Sequence, residues 1–407
     1  MDIGLKDIRI VEASSGVGAP IAARLLADLG AQVIKIEHTL RTDFTRGKTF
    51  GKKGITSTDQ EKNRAYSALA MNANKKSMTL DLSHDSCREI IYKLLEKADV
   101  FLSNFRPRQL EKFGLGYDKL SKLNPKLIYA CFTGYGRKGP DRDAPSYGPI
   151  NDARAGLLHV LQRKGTDPPQ MPLGYADYIA GLTSAYGILG ALLIREMTGE
   201  AQEVDVSLLN SGIWMLSSDV GGALQTGMDR QAIQRSETGT PLINSYQTKD
   251  GRWFYTMIAA NQDLYWPKVC KAIGREDLTH DPRFEKFDER VENNLELFNI
   301  LEETFLTKTL EEWRPLLTGA GLPWAPLQTM PEVINDPQAL ANDFFYPFNH
   351  PTHGEMKLIA NPVKFSKTPW EVKSPAPQFG EQTEEILSEL GYSREEIAAF
   401  REQGLIA

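Results

Sequence analysis

The sequence is sparing with the residues that build metal centres and disulfides. Its 407 residues hold three cysteines, Cys87, Cys131 and Cys270, far apart and without metal-ligand spacing. Such sparse use suits a reducing compartment, where each serves as a small buried apolar side chain. The six histidines form no His-x-x-x-His pair and no cluster with carboxylates, so no metal is expected. The opening Met-Asp-Ile-Gly lacks a basic n-region and an apolar run, so no signal peptide is expected. No uninterrupted apolar stretch nears the ~20 residues that span a bilayer. The run after Asp177 comes nearest, but Thr183, Ser184 and its glycines suggest a buried helix instead. These absences point to a cytoplasmic protein with no membrane partner. The net charge of −6, from 47 basic and 53 acidic residues, excludes a general nucleic-acid binder, which needs a basic face. A local basic pocket for a phosphorylated ligand stays open. No internal repeat or low-complexity tract is present.

What remains is an ordinary globular composition, 41% hydrophobic and 25% charged, in a chain long enough for two domains. Residues 7–11 read as a strand, 14–20 as a turn of small residues, 21–29 as a helix ended by Gly30, and 33–36 as a second strand closing at Glu37. This is a βαβ opening. Gly16 and Gly18 in the turn, with Glu37 about twenty residues on, partly match the dinucleotide fingerprint, but Ile21 fills the third glycine position. The polar, basic stretch 39–58 reads as a surface loop. Further strands at 77–80, 100–102 and 127–132 alternate with helical patterns such as 87–97, which describes a doubly wound, Rossmann-like α/β sheet. Such sheets bind ligands beyond the carboxyl ends of their strands, where Asn104, Phe105, Arg106 and Gly134 fall.

Beyond a boundary near 225–239 the texture changes. Residues 243–248 and 253–258 read as a hairpin across Lys-Asp-Gly-Arg, followed by helices at 264–273, 291–305 and 310–317. The expected organisation is a large α/β domain over 1–224, a small α+β domain over 225–325, and a segment 326–407 that returns to the large domain. That segment should be loop-rich, ending in two acidic amphipathic helices at 382–390 and 393–403.

Asp177 is the only charge between Gly174 and Arg195. It stands where a short polar lead-in meets a long apolar helix ended by Gly199. By itself it reads either as a helix cap or as a nucleophilic carboxylate kept ionised by the helix N-terminus.

Several collinear stretches change that balance: Leu-Leu-Ala-Asp-Leu-Gly-Ala-Gln-Val-Ile-Lys-Ile-Glu (25–37), Asn-Ala-Asn-Lys-Lys-Ser (72–77), Ser-Asn-Phe-Arg-Pro (103–107), Leu-Gly-Tyr (115–117), the Asp177 helix with Arg-Glu-Met-Thr-Gly (195–199), and Leu-Gly-Tyr-Ser-Arg-Glu-Glu-Ile (390–397). Together they resemble the class III CoA-transferases (CaiB/BaiF-like), the group of formyl-CoA transferase and the carnitine CoA-transferases, over nearly the whole chain. The resemblance implies Asp177 as nucleophile, moving CoA from an acyl-CoA donor such as succinyl-CoA to a carboxylic acid. The route would run through aspartyl anhydrides and an aspartyl-CoA thioester. CoA would be substrate, with no tightly bound cofactor, and the assembly an interlocked homodimer. The implied CoA contacts are Val17, His38, Met71, Asn104, Phe105, Lys112 and Tyr147. Two positions depart from the family: His38 stands where an adenine-side arginine is usual, with Arg41 or Arg46 as substitutes, and Pro145 replaces a basic residue. Val17 stands where formyl-CoA transferase has glutamine, which argues against formate and oxalate.

Three other readings compete. The related α-methylacyl-CoA racemases pair the aspartate with a histidine, but that position is Tyr147, whose phenol, with a pKa of about 10, is a poor proton shuttle. His159 lies in an apolar run and reads as a core residue. An NAD-dependent dehydrogenase rests only on Gly16, Gly18 and Glu37. One subunit of a hetero-oligomeric transferase is the last.

Overall fold

The computed structural model describes residues 4–40, 43–46, 58–59, 64–171, 174–351 and 354–407. Arg41, Lys48, Lys52 and Lys53 of the expected basic loop lie outside the described residues. The chain divides into two compact units, one of residues 1–159, 170–228 and 342–407, the other of residues 160–169 and 229–341.

The first unit is built on six parallel strands: β1 (Arg9–Ala13), β2 (Gln32–Glu37), β3 (Lys75–Thr79), β4 (Val100–Ser103), β5 (Ile128–Thr133) and β6 (Glu203–Ser207). Their order across the sheet is β3-β2-β1-β4-β5-β6. The order reverses between β1 and β4, which pair in register from Ile10–Val100 to Ala13–Ser103. A doubly wound sheet opens a crevice at such a reversal, because the connections leave β1 and β4 in opposite directions. Every residue of β4 and β5 is buried, the signature of strands covered on both faces.

Alternate side chains feed two cores. Val11, Phe101 and Tyr129 meet helix α3 (Asp85–Leu95) through Ile90, Ile91, Leu94 and Leu95. Ile10, Val100, Leu102 and Ile128 point the other way, onto α1 (Gly18–Asp28) and the long helix Tyr175–Thr198. Those two helices meet through alanines and glycines. A Cβ on Gly181 would come 2.8 Å from the Gly18 carbonyl oxygen. Small residues let the backbones close up, and that approach carries the start of α1 to the first turn of the long helix.

Buried charges from β1, β2 and β3 meet inside the first unit. Glu12 and Lys35 are fully buried and Lys75 nearly so. Lys35 Nζ lies 3.2 Å from Glu12 and 3.3 Å from Asp43, and Lys75 Nζ lies 2.8 Å from Glu12. Burial pulls Lys75 down to about 8, against the attraction of Glu12. Burial also opposes the charge on Lys35, but the surrounding carboxylates outweigh it and leave its pKa above the ordinary lysine value.

The second unit holds the antiparallel sheet of β7 (Ile243–Gln247), β8 (Trp253–Met257) and β9 (Trp324–Pro326). Gly251 takes φ +75 in the β7–β8 turn, as the Asp-Gly pair predicted. Helices Gln262–Ile273, Asn294–Phe305 and Leu310–Gly319 pack Trp266, Phe298 and Trp313 into its core.

Several expectations need correction. Helices Gly148–Arg154 and Leu157–Leu161 are separated by Gly156, which takes φ +97. His159 is exposed on the second, not part of the core. Helices Leu208–Met215 and Ser217–Thr226 are separated by a break at Leu216. The segment after 326 is not only loop: Phe345–His350 and Gly354–Ile359 form an antiparallel hairpin. The long helix Tyr175–Thr198 is not wholly buried. It is long and apolar enough to cross a membrane by length and composition, and Leu182, Tyr186, Leu193 and Met197 are exposed along it. All three cysteines are buried, as expected.

The charge cluster yields a direct test. Glu12→Gln leaves Lys35 and Lys75 short of their shared counter-charge. Breaking such a pair costs roughly 3–5 kcal/mol, so the variant should unfold at markedly lower urea than wild type in equilibrium denaturation.

Candidate active site

The crevice between β1 and β4 holds a cavity of about 540 Å³. Its walls are the loops that leave the strands: Ser14–Val17 after β1, Glu37 and His38 at the end of β2, Asn104–Pro107 after β4, and Phe132–Gly134 at the end of β5. Ser146, Tyr147 and Asp177 complete it. Asn104 ties two of these loops together. Its Oδ1 accepts the Ser15 N–H at 3.1 Å and its Nδ2 donates to the Ser15 carbonyl at 2.6 Å.

Asp177 lies in the first turn of the long helix, which begins at Tyr175. It is not the cap. That task falls to Asp152, fully buried, whose carboxylate accepts the N–H groups of Tyr175 at 2.8 Å and Ala176 at 2.9 Å. Asp177 accepts instead from the backbone N–H groups of Gly148 and Gly18, at the starts of two other helices. Burial, with the nearby Asp152 charge, pushes Asp177 up to about 6, and these two hydrogen bonds only partly offset the rise. The expectation of a carboxylate held strongly ionised by its own helix is therefore corrected. The groups that would do so are occupied by Asp152, and Asp177 is a desolvated carboxylate, still mostly charged at neutral pH.

Close approach explains the glycines. A Cβ on Gly148 would collide with Asp177 Oδ2, and one on Gly18 with the Phe132 ring. Gly16 takes φ +82, and its N–H points at the Asp43 carboxylate, 3.2 and 3.1 Å from the two oxygens. The buried Lys35 holds that same carboxylate. The charge cluster thus supports the turn that presents Gly18 to Asp177.

Of the residues singled out from sequence, Val17, His38, Asn104, Phe105, Tyr147 and Asp177 line this cavity. Met71 is buried in the helix Tyr66–Asn72, and Lys112 is exposed at the end of the helix Pro107–Lys112; neither is part of the cavity wall. His38 Nδ1 accepts the Leu40 N–H at 3.0 Å, so its proton sits on Nε2. Arg46 is not open to a ligand: it forms a two-pronged bond to Glu37 at 2.8 and 2.7 Å. Glu37 is buried and also accepts from Ser77 at 2.6 Å. Both of its oxygens are thus engaged inside the fold, which weakens the dehydrogenase reading. Arg106, on the wall, has no acidic partner among the described residues.

The sequence reading missed Asp152, Gly148, Asp43, Ser146 and Asn151. Asp152 sits 25 positions before Asp177 and reads there as one more polar residue of a short helix. Among the described residues no three metal-binding side chains cluster.

Two predictions follow from this geometry. If ionised Asp177 does the work, activity should rise with pH through about 6 and level off above it, since the acid form lacks the nucleophilic lone pair. Removing the neighbouring charge with Asp152→Asn should move that limb to lower pH in a kcat/KM profile. Gly148→Ala displaces the carboxylate; a shift of about 1 Å costs roughly 100-fold in rate, so its turnover should fall at least that far while the circular dichroism spectrum stays native.

Residues 5–383 match the family model described as CoA-transferase family III. Among curated relatives, cinnamoyl-CoA:phenyllactate CoA-transferase of Clostridium sporogenes is 36% identical over 96% of this chain and 94% of its own. The (R)-2-hydroxy-4-methylpentanoate CoA-transferase of Clostridioides difficile is 36% identical over 99% of both chains. A CAIB/BAIF family protein from Brucella suis superposes with a TM-score of 0.83 at 27% identity, covering 96% of this chain and all of that one. A parallel sheet with a crevice at its switch point, and a match that runs almost end to end, lead to one conclusion: the chain belongs to CoA-transferase family III and is an enzyme of that class.

Proposed function

We propose that this enzyme is a cytoplasmic transferase that moves CoA between an acyl-CoA and a carboxylic acid with an apolar or aromatic body, with Asp177 as nucleophile. One observation carries the reading: a single half-buried carboxylate, held by two backbone N–H groups, at the edge of a cavity at the sheet's switch point. The Asp177 carboxylate attacks the thioester carbonyl, and CoA leaves as thiolate, giving a mixed anhydride. The thiolate attacks the aspartyl carbonyl and releases the donor acid, leaving an aspartyl-CoA thioester. The acceptor carboxylate attacks that thioester and expels the thiolate again. The thiolate then takes the acceptor's acyl group, which restores Asp177. No step needs a proton, which suits a wall without a histidine–aspartate pair. Fixed N–H groups favour the oxyanions in turn, and exclusion of water keeps the anhydride from hydrolysis.

Val17, Phe44, Phe132 and Leu208 give the cavity apolar surface, and phenyllactate and 2-hydroxy-4-methylpentanoate, named for the two relatives, have apolar bodies too. Arg106, without an acidic partner among the described residues, supplies a guanidinium for a CoA phosphate, with His38 Nε2 as a further donor on the same wall. The apolar face of the long helix, with Tyr186, Leu193 and Met197 exposed, supports a dimer in which a second copy covers it.

The deciding experiment is a CoA-exchange screen followed by mass, offering acetyl-CoA and succinyl-CoA with a panel of acids. Branched and aryl acids should accept CoA while formate and oxalate do not. Asp177→Ala should abolish exchange, and hydroxylamine should trap a derivative on Asp177 in wild type; retained exchange in the variant removes Asp177 as nucleophile. Deuterium wash-in at Cα of a branched acyl-CoA without exchange would instead identify the racemase. Arg106→Ala should raise KM for acyl-CoA roughly tenfold, the scale of one charged hydrogen bond, with little change in kcat. Light scattering should give twice the chain mass.

A further inference from the structure

The stretch 72–77, Asn-Ala-Asn-Lys-Lys-Ser, has no place in the cavity wall. Asn74 and Ser77 are spent instead on the returning segment. β3 is an edge strand of the six-stranded sheet, and residues 371–383 cross that edge as a strap held largely by side chains. Asn74, at φ +64, accepts the N–H groups of Lys373 at 2.7 Å and Ser374 at 3.1 Å and donates to the Glu371 carbonyl at 2.7 Å. The Ser77 N–H donates to Gln382 Oε1 at 2.8 Å, and the Ser77 carbonyl accepts the Gln382 N–H at 3.0 Å. The Thr79 N–H donates to Thr383 Oγ1 at 3.1 Å. A bare edge would offer these groups to another strand; here the strap takes them.

The strap reaches the cavity through Arg46. Two of its guanidinium nitrogens hold Glu37, and the third, Nη1, donates to the Pro377 carbonyl at 2.8 Å. Ser77 Oγ closes the other side, donating to Glu37 at 2.6 Å and accepting the Gly380 N–H at 2.9 Å. Glu37 is thus a knot joining the end of β2, the turn Phe44–Arg46, β3 and the strap. Four cavity residues adjoin it. Ile36 and His38 flank Glu37, Phe44 stands two positions before Arg46, and the Leu80 N–H donates to the Glu37 carbonyl at 2.9 Å. Neither Arg46 nor any residue of 371–383 lines the cavity itself.

The knot needs an arginine. A planar guanidinium forks onto a carboxylate and still offers a third nitrogen, whereas an ammonium is a point charge that cannot span the same three oxygens. The ion pair is also shielded, with side chains 13% and 2% exposed, so a carboxylate left without its partner there would be poorly solvated.

We infer that Arg46 is a positioning residue, which ties the wall of Ile36, His38, Phe44 and Leu80 to the strap 371–383 and through that wall sets the affinity for CoA. This rests on the CoA-transfer reading above. Asp177 is held from other elements, α1 and the helix Gly148–Arg154, so its frame stays in place when the wall loosens.

The test follows CoA binding by calorimetry over a range of salt, together with kcat for CoA transfer, in wild type, Arg46→Met and Ser77→Ala. Arg46→Met should weaken CoA binding roughly tenfold, the scale of one charged hydrogen bond, and Ser77→Ala roughly threefold. Both should keep a native circular dichroism spectrum and a kcat within about twofold of wild type. Salt separates a positioning residue from a ligand, because dissolved ions screen a direct contact with a phosphate. Affinity should fall with salt as steeply in both variants as in wild type. A flattened dependence in Arg46→Met makes Arg46 a phosphate ligand and overturns the inference. So does wild-type affinity in Ser77→Ala, which decides the matter alone if Arg46→Met does not fold. A fall confined to kcat overturns it as well. Wild type that binds CoA but passes it to no acid defeats the transfer reading and leaves the affinity test of the wall in force.

Discussion

The site depends on one arrangement: a carboxylate desolvated between the backbone N–H groups of Gly18 and Gly148. A side chain could not take either place, because the atoms are too close. Much of the first unit can be understood as the means of bringing these two N–H groups and one aspartate together. The alanine and glycine contacts between α1 and the Asp177 helix set one approach. The short helix Gly148–Arg154, with Asp152 capping the Asp177 helix, sets the other.

Asp152 and Asp177 divide between them what a single acid at a helix start would otherwise do alone. Asp152 satisfies the free N–H groups of the helix, while Asp177 is left with less solvation and a neighbouring like charge. A carboxylate in that condition is a better nucleophile than one fully hydrogen-bonded, since less must be stripped from it before attack. Helix stability and reactivity are thus placed on different residues.

The sheet was legible because parallel strands buried on both faces leave long apolar runs, as in Val100–Ser103 and Ile128–Thr133. Asp177 stood out because it is the lone charge before a long apolar helix, and its role came from the motifs around it. The rest had no such signal. Glu12, Lys35 and Lys75 look like ordinary surface charges in a strand, and only their convergence in the fold shows that they neutralise one another. Gly148 acts through its N–H and through an absent Cβ, neither of which a residue type advertises. Arg46 reads as one more basic residue of a polar loop, and only the Glu37 and Pro377 oxygens around it show that it is spent inside the fold. The outward face of the Asp177 helix misled for a simpler reason: an apolar run does not tell how much of its helix the fold leaves exposed.

The buried charge cluster also divides the electrostatics of this enzyme into two regimes. Exposed charges such as Arg106 feel dissolved ions, whose screening reaches over about 10 Å at 0.1 M salt. Glu12, Lys35 and Lys75 are closed off from those ions. Ionic strength therefore acts on the hold over an anionic ligand while leaving the scaffold under the Gly16 turn untouched. The medium can act on exposed charges without loosening the frame around Asp177.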